Sequence, residues 1–210
     1  MTRMTTFLGA VAVMAAGVLT AGWATDAAAQ DAQAPEIVEM VLGDPDAPVE
    51  MIEYASFTCP HCATFNTGPL KQLKKDYVDT GKVKLVYRDV YFDRFGLWAA
   101  MVARCGGPEK FFGISDMIYE NQAQWTRAGD PVAIVGELRK FGKIAGVTDE
   151  QLDVCLNDAA KAQALVEWYQ KNATEDGITG TPSFIIDGEM VENQPYDDLK
   201  VVLDEKLAAK

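Results

Sequence analysis

Residues 49 to 92 set the strongest constraint on the fold. "VEMIEYA" (49–55) has the apolar and aromatic content of a strand, and the turn-forming "GDPDAP" precedes it. From Cys59 to Tyr77 the residues Phe65, Leu70, Leu73 and Tyr77 suit one face of an amphipathic helix, which Gly81-Lys82 closes. "VKLVYRDVYF" (83–92) reads as a second strand. Strand, helix and strand in succession imply a parallel pair joined by a right-handed crossover. From Leu97 to about Asp176 the pattern is helical almost throughout, punctuated by Gly106-Gly107-Pro108, Gly129-Asp130-Pro131 and Gly146. "GITGTPSFIIDGEMV" (177–191) returns to strand-like residues around a turn at Asp187-Gly188, and "YDDLKVVLDEKLAAK" is a closing helix. The expected fold class is α/β: a sheet domain in two parts, 30–92 and 177–210, opened by a helical insertion at 93–176. No internal repeat is visible.

The first 29 residues have a different character. Arg3 is followed by 13 apolar residues, Phe7 to Leu19, and then by a small-residue stretch ending in Ala27-Ala28-Ala29. That is the order of a secretory signal peptide cut after Ala29. A membrane anchor would need about 20 apolar residues. Export to the periplasm is therefore expected, with "QDAQAPE" (30–36) as a flexible leader. The segment carries one base, Arg3, and one acid, Asp26, so its removal leaves the net charge at −12. Such a surface repels a phosphate backbone and an anionic bilayer, which argues against nucleic acid as a partner. The composition, 49% hydrophobic and 24% charged, is that of an ordinary globular protein.

All four cysteines, Cys59, Cys62, Cys105 and Cys155, follow the expected cut. An even count in an exported chain points to disulfides, and three pairings are open. The chain's one histidine, His61, lies inside the first cysteine pair, so zinc would have to be held mainly by the cysteines. An oxidising compartment argues against that, and no metal site is expected.

"FTCPHCATF" (57–65) is placed between a strand and a helix, which puts Cys59 at the helix N-terminus. Pro60 suits the first helical turn, where a missing N–H costs nothing. Unpaired N–H groups and the positive end of the helix dipole favour a thiolate on Cys59, and His61 can add a donor or a positive charge. A low thiol pKa makes the thiolate a good leaving group and the disulfide a stronger oxidant. Cys62, one turn further in, should be more buried and act as the resolving thiol. The bland alternative is an inert local bridge.

"EYASFTCPHC" followed much later by "GTPSFIIDG" resembles the DsbA-like branch of the thioredoxin superfamily, over nearly the whole chain after Ala29. That resemblance implies a thioredoxin fold with a large helical insertion and protein disulfide oxidoreductase activity on exported proteins. Cys59 would be the nucleophile and Cys62 the resolving cysteine, with no cofactor beyond their redox-active disulfide. Pro182, after Gly180-Thr181, would match a cis-proline loop that packs on the dithiol and offers the Thr181 backbone to a substrate peptide. The best-known strong oxidants of this type carry an aliphatic residue at the position of Thr181. A hydroxyl there can hydrogen-bond a sulfur and shift the potential. Glu53 falls where the resemblance places a buried acid beneath the dithiol; such a carboxyl has a raised pKa and can relay a proton for Cys62.

Cys105 and Cys155 lie in helical stretches of the insertion, and a bridge between them is read as structural, contributing about 4 kcal/mol on the loop-entropy model. Trp98, Phe111, Phe112, Trp125 and Trp168 fall at helical spacing and read as core rather than a cofactor box. The expected partners, implied by the resemblance, are reduced unfolded exported proteins and a membrane quinone-linked oxidase that regenerates the disulfide; a monomer is expected. Two other readings remain. One is a disulfide isomerase or reductase, although isomerases of this superfamily resemble dimers with a separate module, for which Gln30 to Pro48 is too short. The other is a non-catalytic thiol metal carrier.

Overall fold

The computed structural model describes residues 35 to 210. The expected signal peptide, its cut after Ala29 and most of the leader lie outside the described residues. Five strands form one sheet: β1 (Met40–Leu42), β2 (Val49–Ala55), β3 (Val83–Asp89), β4 (Ser183–Ile186) and β5 (Glu189–Glu192), in the order β1-β3-β2-β4-β5. β2 and β3 are parallel, from Val49 beside Val83 to Ala55 beside Asp89, and the other pairs are antiparallel. β4 turns into β5 through Asp187 and Gly188, both at positive φ (48° and 82°), as a tight hairpin requires. The short β1 has no counterpart in the sequence reading.

The β2–β3 crossover is broken where a continuous helix is expected. α1 (Pro60–Thr67) stops at Gly68, whose N–H donates to Phe65 O at 3.3 Å. Pro69 has no N–H to continue the ladder and instead opens α2 (Pro69–Leu73), which runs into a π-helical turn at Lys74–Val78. β3 ends at Asp89, short of the expected Phe92. Four residues later Asp93 already caps the next helix, its carboxylate accepting from the N–H groups of Phe95 and Gly96 at 2.7 and 3.0 Å.

The helical block follows as α3 (Arg94–Cys105), α4 (Pro108–Glu120), α5 (Gln122–Trp125), α6 (Pro131–Ile144), α7 (Asp149–Asn157) and α8 (Ala159–Glu175); α9 (Tyr196–Ala208) comes after the hairpin. A disulfide joins Cys105 at the end of α3 to Cys155 in α7. Phe111 and Trp125 are wholly buried, whereas Trp98, Phe112 and Trp168 are half-buried, with the guanidinium groups of Arg88 and Arg104 over the Trp168 ring. Among the described residues no helix is long and apolar enough to cross a membrane.

Side-chain alternation along β2 assigns its faces. Ile52 and Tyr54 pack with Val86, Ile185 and Ala173 of α8 on one side. Met51, Glu53 and Ala55 take the other. There Met51 joins Phe65, Leu85, Phe184 and Leu203, while Ala55 joins Phe57, Cys62, Tyr87, Phe111 and Trp125. Glu53 lies on this face of β2 between Met51 of the one cluster and Ala55 of the other.

Candidate active site

The strand-to-helix junction delivers Cys59 as the N-cap of α1, with φ −81° and ψ 118°. Pro60 takes the first helical position, as its fixed φ favours, and both Pro60 and His61 are exposed. Cys59 N–H donates to Ser56 O at 3.0 Å, and its carbonyl accepts from Ala63 N–H at 3.1 Å as the first bond of the helix. The Cys59 Sγ accepts from the N–H of Cys62 at 3.4 Å and, as a thiol, donates to Thr181 O at 3.4 Å.

The two free thiols are shifted in opposite directions. Cys59 is pulled down to about 5: hydrogen bonding from the Cys62 thiol contributes most, burial opposes it, and Thr181 and the N–H groups of Cys62 and His61 add to it. His61 thus acts on the sulfur through its backbone, while its imidazole is open to solvent. Cys62 has no exposed surface; burial pushes its thiol far up, and the hydrogen bond to Cys59 adds to this. One helical turn separates a stable thiolate from a thiol that keeps its proton.

Glu53 is fully buried, and neither carboxylate oxygen has a hydrogen-bond partner. Burial, followed by the charge of Asp116, raises it to about 8, so it holds a proton at neutral pH. Glu50, three residues away and so on the other face of the strand, pairs with Lys84 at 2.8 Å. The Thr181–Pro182 peptide is cis. The Thr181 Oγ1 is buried without a partner, yet close enough to both sulfurs to favour their thiolates.

A family model described as Thioredoxin matches residues 36–205. The chain belongs to the thioredoxin family. Within that family, a Rickettsia bellii protein provisionally named a protein-disulfide oxidoreductase is 30% identical over 170 residues, covering 80% of this chain and 64% of the relative. The chain thus spans just under two-thirds of that curated relative. The crystal structure of Wolbachia pipientis alpha-DsbA1 superposes with a TM-score of 0.75 at 26% identity, covering 84% of this chain and 94% of that one. A protein-disulfide isomerase from Novosphingobium aromaticivorans gives a TM-score of 0.72 at 27% identity, covering 80% and 97%. The fold is a DsbA-like thioredoxin fold with a helical insertion.

The insertion adds groups to this thioredoxin-family site that the sequence reading missed. Gln122 of α5, buried, donates its amide N–H groups to Phe57 O at 2.8 Å and Cys59 O at 2.9 Å. Tyr119 of α4 shares a 2.6 Å hydrogen bond with Tyr87, the β3 residue in register with Glu53. No sequence pattern marks Gln122. The tyrosines had a weak signal, since Tyr87 occupies the strand position beside Glu53, the second of the two acids in β2.

Proposed function

We propose that this chain is a thiol–disulfide oxidoreductase that donates the Cys59–Cys62 disulfide to reduced proteins exported to the periplasm. The observation that carries the reading is the opposite shift of the two thiols. At pH 7 a cysteine near 5 is about 99% thiolate, against roughly 3% for a free cysteine near 8.5. Stabilising the thiolate stabilises the reduced dithiol, and the disulfide is correspondingly oxidising.

The exchange proceeds in two displacements. A substrate thiolate attacks Cys59 Sγ, the residue of the pair that keeps a little exposed surface, 7% against none for Cys62; a substrate S–S bond to Cys59 forms, the Cys59–Cys62 bond breaks, and Cys62 leaves with the electron pair. Cys62 has a high proton affinity, and the buried, protonated Glu53, on the face of β2 whose Ala55 packs with Cys62, is the group that supplies the proton. A second substrate thiolate then attacks the substrate sulfur of the mixed disulfide and expels Cys59 as its stable thiolate. The substrate leaves oxidised by two electrons, and both protein cysteines are reduced. Thr181 and Pro182 form the wall against which an extended substrate lies. A membrane quinone-linked oxidase would restore the disulfide, and the protein would act as a monomer with no other cofactor. The Cys105–Cys155 bridge serves the insertion's stability.

A second reading has its own support. The hydroxyl of Thr181 beside both sulfurs shifts the potential, so net isomerase or reductase activity is the alternative. The metal-carrier reading has less: among the described residues no group of three or more His, Cys, Asp or Glu side chains is placed to hold a metal ion. Oxidative refolding of a reduced, unfolded disulfide protein discriminates between the first two. Stoichiometric transfer of the disulfide supports the oxidase, whereas reshuffling of a scrambled protein without net oxidation supports the isomerase. Export is tested by intact mass, with a chain beginning near Gln30 in the exported fraction as the expected result.

A further inference from the structure

We infer that Gln122 of the helical insertion is a positioning residue for the nucleophile: it fixes the Cys59 backbone so that the sulfur stays within the donors that hold its thiolate. This rests on the oxidoreductase reading of the cysteine pair and extends it to a residue outside the thioredoxin core.

Gln122 is 8% exposed, and its Nε2 donates to two carbonyls two residues apart, Phe57 O at 2.8 Å and Cys59 O at 2.9 Å. An Nε2 has two N–H donors, so this pair of contacts uses its full donor capacity. Both acceptors belong to the segment that turns from β2 into α1. Phe57 is buried against the Tyr87 and Tyr119 rings, with centroids at 5.8 and 4.9 Å, so that end of the segment is already anchored. Cys59 is 7% exposed and belongs to the same buried cluster, but it has no aromatic ring to lock its backbone as Phe57 does. Its backbone is held by Ser56 O, by Ala63 N–H and by Gln122. Of these holds, Gln122 alone comes from outside the motif and its immediate neighbours.

The amide itself is rigidly presented. Trp125, fully buried on the same short helix, donates its indole N–H to Ile118 O at 2.9 Å, which locks α5 against α4. Thr126 caps the Gln122 carbonyl through its hydroxyl at 2.6 Å. A short helix with two such anchors delivers an amide to one place. The electrostatics agree with this role. Two N–H dipoles pointing at the Phe57 and Cys59 carbonyls offset negative ends of peptide dipoles beside the thiolate. Once the amide is gone, those carbonyls face the thiolate unopposed and the N-cap backbone is free to turn, weakening the 3.4 Å contact from Cys62 N–H.

The test uses Gln122→Met, which keeps volume but removes both donors, and Gln122→Glu, which keeps shape but places a carboxylate against two carbonyls. Gln124→Met, exposed on the same helix, is the control. Three quantities are measured on each protein: the Cys59 titration by thiolate absorbance, the equilibrium constant with glutathione, and the melting temperature. The expected result for Gln122→Met is a Cys59 midpoint raised by about one pH unit, with roughly a tenfold shift of the glutathione equilibrium toward the disulfide. Gln122→Glu should raise it further, and Gln124→Met should leave both quantities unchanged. A purely structural role would lower the melting temperature while leaving midpoint and equilibrium within twofold of wild type, and that result overturns the inference. Should Gln122→Met fail to fold, Gln122→Glu carries the same comparison. A wild-type Cys59 that titrates like a free cysteine would instead sink the oxidoreductase reading, so the two failures are separable.

Discussion

Replacing Glu53 with glutamine should make the protein more stable, and increasingly so as pH rises. An ordinary glutamate titrates near 4.5, whereas burial and Asp116 hold Glu53 to about 8. Between those values the folded protein keeps the proton and the unfolded chain has released it. A group raised in the folded state contributes stability that is full below the unfolded pKa and is lost as pH rises through the folded one. The loss runs at about 1.4 kcal/mol per pH unit, or about 3 kcal/mol by pH 7 and between 4 and 5 kcal/mol by pH 8. Water entry and relaxation around the carboxyl reduce the amount realised. That is still a large share of the roughly 5–15 kcal/mol that holds a domain folded. Glutamine fills the same space and has no proton to lose. Urea unfolding of Glu53→Gln and wild type, both with the Cys59–Cys62 disulfide formed so that neither thiol titrates, should give curves that diverge steadily between pH 4.5 and 8. Comparing the two proteins cancels every other titrating group, as well as any constant packing difference of the amide. Parallel stability curves across that window would refute a buried, protonated Glu53. The same substitution should slow disulfide transfer, because the amide has no proton to give the departing Cys62.

Thr181→Val removes the hydroxyl near both sulfurs and should raise the Cys59 titration midpoint, read by thiolate absorbance; an unchanged midpoint would show that the hydroxyl does not reach the thiolate. Replacing Cys105 and Cys155 together with alanine opens a bridge across a sequence separation of 50 and should cost up to about 4 kcal/mol, measured by urea unfolding, with disulfide transfer largely retained. Loss of transfer in a folded variant would give the bridge a redox role. Cys62→Ala should accumulate reducible high-mass adducts with exported proteins on a non-reducing gel, and Cys59→Ala should not, because Cys59 keeps some exposed surface and Cys62 has none. Equal trapping by both would reverse the assigned order of the cysteines.

The parts of this molecule that were legible in its sequence are those fixed by local chemistry. The β2 strand 49–55, the cysteine at a helix start, the Asp187-Gly188 hairpin and the closing helix each follow from a few adjacent residues. The break at Gly68-Pro69 was legible too, because a proline after a glycine ends a hydrogen-bond ladder, but the apolar spacing of Phe65, Leu70 and Leu73 masked it. β1 was not legible: three residues, Met40 to Leu42, form a strand only because β3 offers an edge. The site divides in the same way. Helix-start geometry favours a Cys59 thiolate without any tertiary knowledge. Gln122 as a clasp and the Tyr87–Tyr119 pair arise from how the insertion closes over the sheet. Long-range contacts of this kind leave no trace in spacing or composition.

The most direct test of the account is the pH titration of Cys59 in the reduced protein. Thiolate absorbance followed from pH 3 to 10, with Cys59→Ala as the blank, isolates the one sulfur on which the exchange chemistry depends. The structure predicts a midpoint near 5, with Cys62 remaining a thiol throughout the range. A midpoint near the free-cysteine value of about 8.5 would contradict it, because the asymmetry that makes Cys59 the leaving thiolate would then be absent.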